Sequence, residues 1–99
     1  MHGTTILQAA FTHRSFLSHT GVSPIRIDQD LLGPTHKETF AHGLWLVQQV
    51  PAFVAAERLE KAQRWLCFVQ GMLWAEGLVT TRALKEVMRP PGSVYDAQV

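Results

Sequence analysis

Charge is the scarcest commodity in this chain. Asp, Glu, Lys and Arg make up 17% of its 99 residues, where about 25% is usual. Nine cations against eight anions leave a formal net charge of +1, which excludes a dominant field for nucleic acid but leaves room for a local patch. Cysteine occurs once, at Cys67. No disulfide can form within one chain, and a reducing cytoplasm is the expected setting. No apolar run reaches the length of a membrane span. The N-terminus lacks a basic stretch leading into a clean apolar run, so a signal peptide is not expected. The signatures of common chemistries are missing too. There is no G-x-S-x-G, no H-E-x-x-H, no phosphate-cradling glycine loop, and no carboxylate pair set in an apolar surround. Neither internal repeats nor low-complexity tracts occur.

What is present is apolar and periodic. Hydrophobic residues make up 46% of the chain. From Glu57 to Leu78, Leu59, Ala62, Leu66, Val69 and Leu73 recur at spacings of three and four, the stripe of an amphipathic helix. Trp65, Phe68 and Met72 form a second stripe beside it. So wide an apolar face exceeds what one small core absorbs, and it predicts a homo-oligomer, a two-fold dimer being the commonest form.

The pattern predicts an all-α fold in one domain, 1–99. It is a small bundle of about four helices near 5–19, 36–50, 58–76 and 81–89. Two long central helices pack antiparallel, with a core of Phe40, Leu44, Val47, Leu59, Leu66, Val69 and Leu73. In the first helix Ile6, Ala10, His13 and Leu17 share a side, with Thr4 or Thr5 as cap; a partly ordered arm is the alternative. Thr35 and Glu38 fit the capping box that opens the second helix. Pro51 predicts a kink or short break after Val47. Gly71 interrupts the third helix, where it can permit close helix approach. Residues 20–34 read as a linker loop, with a short strand at 25–28 as the alternative. Residues 1–4 and 92–99 are expected to be flexible, and Pro90-Pro91-Gly92 stops the last helix.

Few residues group into candidate sites. His36, Glu38 and His42 come nearest to a metal set, but His36 sits poorly on the face shared by the other two, and a third ligand from His13 or His19 would be needed. A capping glutamate with two surface histidines accounts for them, so neither a metal nor a cofactor is expected. Cys67, within W-L-C-F-V, reads as a small core hydrophobe. Asp28 and Asp30 read as turn residues. Arg64 beside Trp65, with Arg82 and Lys85 on the last helix, is the candidate set for an anionic ligand or nucleic acid, a cation next to an aromatic platform. Trp65, Phe68 and Met72 are the candidate interface. Trp45, Trp65 and Trp74 need partners for their indole N–H groups, which Gln48, Gln49, Gln63 and Gln70 can provide.

The block L-E-K-A-Q-R-W-L-C-F-V-Q-G-M-L-W, Leu59 to Trp74, resembles one in small uncharacterised proteins of bacteriophages and prophages, the similarity running from about His36 through Pro90. The resemblance implies an all-helical accessory protein of a mobile element and brings no reaction with it. Arg64, Trp65, Gln70 and Gly71 match the block. Cys67 stands where the family usually has glycine, which puts close backbone packing there in doubt. Separately, I-L-Q-A-A-F-T-H-R-S-F, Ile6 to Phe16, resembles the opening helix of ribonuclease III domains. That family's acidic signature and later carboxylates are absent, so the match carries no metal-dependent cleavage and is treated as accidental.

The resulting expectation is a non-enzymatic accessory or regulatory protein that binds another macromolecule, such as a host or phage protein. A binding module for nucleic acid or a small anionic ligand is the first alternative. An enzyme whose site is shared between subunits around His36, Glu38 and His42 is the second.

Overall fold

A computed structural model of the chain describes residues 2–89. It contains four helices: α1 (Gly3–Ser18), α2 (His36–Ala55), α3 (Leu59–Ala75) and α4 (Thr81–Met88). No strand occurs among the described residues, so the fold is all-α. The expected tail at 92–99 and the Pro90-Pro91-Gly92 stop lie outside them.

Directions follow from which residues meet. Along α2 and α3, His36 meets Glu76, Met72 lies over Gly43, and Phe53 packs on Trp65. As one number rises the other falls, so α2 and α3 are antiparallel. Gly3 lies beside Val54 and Gly43 beside Leu17, which makes α1 antiparallel to α2 as well. His13 meets Gln70, and Gly3 lies beside Leu59, so α1 runs parallel to α3. The short α4 rests on α1.

The core is built from one stripe of each long helix: Ile6, Ala9, Ala10 and Leu17; Leu44, Leu46, Val47 and Val50; Ala62, Leu66, Val69 and Leu73. The stripe expected on the third helix is present with one exception: Leu59 is 37% exposed because it opens α3, beyond most of the packed length. Phe40 packs against the core without being enclosed. The expected pair of central helices is the antiparallel pair α2 and α3. However, α1 touches all three other helices and is as central as they are.

Helix ends follow local chemistry where tertiary contacts do not override it. Thr35 and Glu38 form the full capping box at the start of α2. The Thr35 backbone N–H, and then its hydroxyl, hold the Glu38 carboxyl below its ordinary pKa. Thr80 caps α4 by accepting from the Ala83 N–H at 3.0 Å. The first helix begins at Gly3, with His2 in the cap position and no side-chain cap bond. Thr5 is buried instead of capping, because it sits on the face that meets the core. Pro51 lies inside α2 without ending it, and the helix continues to Ala55. Phe53 and Val54 pack onto the core there, which offsets the roughly 3 kcal/mol that an internal proline costs.

Two helix ends share one geometry. After α3, Gly77 takes φ +75°, its N–H bonds to Trp74 C=O at 3.0 Å, and Leu78 N–H bonds to Leu73 C=O at 2.9 Å. After α2, Glu57 takes φ +59°, its N–H bonds to Val54 C=O at 3.0 Å, and Arg58 N–H bonds to Phe53 C=O at 2.8 Å. Both are Schellman endings, in which a left-handed residue lets the last carbonyls find donors. Gly77 adopts that conformation freely, whereas Glu57 carries a Cβ into it.

Gly71 does not serve close helix approach within the chain. A Cβ there would meet nothing within 4 Å. The close approach is made at Gly43, where a Cβ would stand 2.5 Å from Met72 Cε. Residues 22–28 form no helix and no strand. Ile25 N–H instead bonds to Ala41 C=O at 3.1 Å, which pins the loop to α2.

Candidate functional site

A concave feature lies where α2, α3 and the pinned loop meet. His42, Leu46, Arg64, Trp65 and Phe68 line a cleft of about 330 Å³. It continues beneath the loop into a hollow of about 430 Å³ that adds Arg26, Leu31, Pro34 and Trp45. Helical spacing puts the wall residues in place. His42, Trp45 and Leu46 are three and four apart on α2. On α3, Phe68 stands one turn beyond the adjacent Arg64 and Trp65.

An aromatic chain runs through this region. Trp45 and Trp65 have ring centroids 5.8 Å apart, and Phe53 meets Trp65 edge-on at 4.9 Å. His42 stacks on Trp45 at 6.0 Å with the planes 6° apart. Cations gather on the rings. The Arg26 guanidinium lies 5.5 Å from the centre of Trp45, and Lys61 Nζ lies 4.7 Å from Phe53 and 5.4 Å from Trp65. Such contacts hold a cation in place without neutralising it, and one carboxylate, Asp28, also lines the hollow.

The loop owes its position to His42. Its Nδ1 accepts from the Ile27 N–H at 3.2 Å and lies 3.3 Å from Ile25 C=O. Only the bare nitrogen can serve Ile27, and only the protonated one can serve Ile25. The remainder of the candidate metal group is engaged elsewhere. Glu38 is used in the capping box, and His36 Nδ1 pairs with Glu76. Among the described residues no three His, Cys, Asp or Glu side chains are grouped to hold a metal. Asp28 closes a local turn, accepting from the Asp30 N–H at 2.8 Å.

The candidate binding residues divide. Arg64 and Trp65 meet at the cleft. Arg82 and Lys85 lie on α4, which rests on α1, and line neither the cleft nor its extension. The interface candidates divide too. Trp65 is half-buried against the core, Phe68 is 62% exposed, and Met72 is half-buried over Gly43. Cys67 is exposed rather than buried, since it lies one position off the Leu66–Val69–Leu73 row. The glutamines find other partners than the indoles: Gln49 donates to Trp45 C=O at 3.3 Å, and Gln70 to His13. Arg26 and the role of His42 escape sequence reasoning. The alternation Ile25-Arg26-Ile27 is the signal there, and it reads as a linker loop with a short strand as the alternative.

One polar pair is sealed inside. His13 is 3% exposed, and its Nε2 accepts from Gln70 Nε2 at 3.2 Å. Burial pushes this imidazole below its ordinary 6.5. The folded state therefore refuses a proton that the unfolded chain accepts below pH 6.5. The resulting stability is complete above 6.5 and is lost as the pH falls toward the lowered folded value. Urea melts at pH 7.5 and 5.5 are expected to show a larger acid loss for the native chain than for His13→Gln. Equal losses would remove His13 as the cause.

Comparison with protein-family models, curated proteins and solved structures gives no match to this chain. Among the described residues, no helix is long and apolar enough to cross a membrane.

Proposed function

We propose that this is a non-catalytic accessory protein that works by binding another protein, whose apolar segment docks in the cleft between α2, α3 and the 25–34 loop. One observation carries the reading: the wall is Leu46, Trp65 and a largely exposed Phe68, with Arg26 and Arg64 at the rim. An apolar anchor matches that wall, and two cations against one carboxylate, Asp28, favour acidic neighbours beside it. The resemblance of residues 59–74 to phage and prophage proteins makes a mobile-element accessory the fitting role, and a host or phage protein the fitting partner. A cytoplasmic setting fits the single cysteine.

A second reading, nucleic acid or a small anionic ligand, draws on Arg26 above Trp45 and Arg64 beside Trp65. Salt separates the two. Phosphate-dominated binding weakens steeply as salt rises, whereas an apolar interface does not. Capture from extracts of the source cells, run at about 50 and 500 mM salt, tests this. The expected result is one protein retained at both salts and lost on Phe68→Glu, with circular dichroism unchanged. Retention of oligonucleotides at low salt only, abolished by Arg64→Glu, would replace this reading with the second.

A further inference from the structure

We propose that His42 is a proton-operated latch on the loop wall of the cleft, closed while its ring is neutral and open once the ring is charged. The latch regulates the docking site proposed for the cleft and rests on that reading.

One nitrogen faces two groups with opposite demands. His42 Nδ1 lies 3.2 Å from the Ile27 nitrogen and 3.3 Å from the Ile25 carbonyl oxygen. A bare Nδ1 accepts from Ile27 and turns its lone pair on the Ile25 carbonyl. A protonated Nδ1 donates to Ile25 and confronts the Ile27 N–H with a second donor. Both nitrogens of an imidazolium carry protons, so charging the ring forces the second arrangement. The two states are discrete, and a proton selects between them.

The two sites on the loop respond differently. Ile25 stays anchored, because its own N–H bonds to Ala41 C=O at 3.1 Å. Ile27 loses its bond. Among the described residues, no other hydrogen bond joins residues 26–34 to α2 or α3. The remaining bonds there are internal: Leu31 N–H to Asp28 C=O, and Asp30 N–H to the Asp28 carboxylate. Apolar contact adds little hold, since Leu31 is 43% exposed and Leu32 is 92% exposed. The wall beyond Ile25 therefore swings as a unit.

The charges around the ring do not settle its position by themselves. Arg26 shares Trp45 with His42, and Asp28 lines the hollow with it. Both ride on the loop, so their push and pull on a new positive charge offset one another. From α3, Arg64 lines the cleft beside His42. On α2 itself Glu38 stands one turn earlier, its carboxylate engaged by the Thr35 N–H. From α1 the neighbour of this turn is the apolar Leu17, at Gly43. With the loop charges opposed, the hydrogen bond decides. Histidines change charge between about pH 5 and 8, and carboxylates well below that window.

The consequence for docking follows from what the wall carries. Ile27, Leu31 and Pro34 line the hollow. A segment seated against them loses those contacts when the latch opens, so acid weakens docking.

Solvent exchange of the backbone amides, followed by NMR on the full chain from about pH 8 to 5, is the test. The ring ¹⁵N signals of His42 report its charge in the same samples. Protection of Ile27, corrected for the intrinsic pH dependence, is expected to fall roughly five- to tenfold as His42 gains its proton, the worth of one hydrogen bond. Ile25 is expected to keep its protection. So is Val47, 1% exposed on the same helix, which separates the latch from the general acid loss at His13. His42→Asn sets an amide oxygen near the Nδ1 position and takes no proton, so its Ile27 protection is expected to be constant across the range. If that variant fails to fold, the native chain decides by whether the two titrations coincide. Ile27 protection that ignores the His42 titration overturns the proposal, as does a fall that persists in His42→Asn or one shared by Ile25. The protein captured in the salt experiment, presented again at about pH 5.5, is expected to be held more weakly than at pH 7.5. Equal capture at both, from a chain whose Ile27 has let go, overturns the gating. Capture absent at every pH while the amides behave as described overturns the cleft reading alone.

Discussion

Replacing Ile6 or Leu17 by Ala is expected to cost about 2–5 kcal/mol each. A domain of this size has only about 5–15 kcal/mol in total. Both side chains are fully enclosed, at 0% exposure. They stand near opposite ends of α1, so each reports on a different part of its seat. Ile6 lies in the turn next to Gly3, which abuts Val54 and Leu59, while Leu17 reaches Gly43 on α2. Partial collapse sets where in the range each value falls. Phe11 and Phe16 are controls, being 54% and 41% exposed on the same helix. Their alanine variants are expected to lose under about 1 kcal/mol, as surface changes usually do. Urea denaturation of the four variants decides the matter. Near-neutral Ile6→Ala and Leu17→Ala would mean that α1 is a loosely attached arm and that α2 and α3 hold the fold by themselves.

The second large effect is at Trp65. Trp65→Asp is expected to unfold the chain rather than release a bound partner. The ring is half-buried against the core, edge-on to Phe53 at 4.9 Å and tilted on Trp45 at 5.8 Å. Deleting a large aromatic costs about 3–5 kcal/mol when fully enclosed, and a carboxylate in its place adds a poorly solvated charge. Lys61 Nζ, 5.4 Å from the ring centre, is the cation nearest to compensating it, and surface pairs return at most about 1 kcal/mol. Phe68→Asp, three residues on, is expected to remain folded. The measurement is far-UV circular dichroism at 25 °C on both variants. A helical Trp65→Asp protein would show that the indole belongs to an interface and not to the interior.

That contrast shows how far the sequence could be read. Periodicity separates Leu66, Val69 and Leu73 from the rest of α3 because burial is a property of one helix face. It cannot say where the inner face stops, since that depends on how broadly the neighbouring helices cover it. Trp65 and Phe68 lie in one sequence stripe, yet a difference of three residues takes the side chain from the edge of the core into solvent. Cys67 was misread for the same reason. The capping box at Thr35 was legible because every atom in it lies within four residues. The cleft was not. Its outer wall exists because His42 holds Ile27 from 15 residues away, and nothing local to either residue announces the bond. Pro51 marks the reverse case: a strong local signal for a break was overruled by Phe53 and Val54, whose packing keeps the helix going.

The parallel seating of α1 against α3 has a consequence in time. His13 and the Gln70 that meets it are 57 positions apart. A ribosome adding roughly 5–20 residues per second takes about 3–11 s to travel from one to the other. During the first part of that interval, until α2 has emerged, the Ile6–Leu17 side of α1 has nothing to lie on. The hairpin of α2 and α3, joined by only residues 56–58, closes with little loop entropy to overcome and forms as soon as both strokes have emerged. The earliest-made of the four helices thus has its seat completed only when α3 joins α2, and until α2 emerges its apolar side is the part of the nascent chain that a chaperone would find.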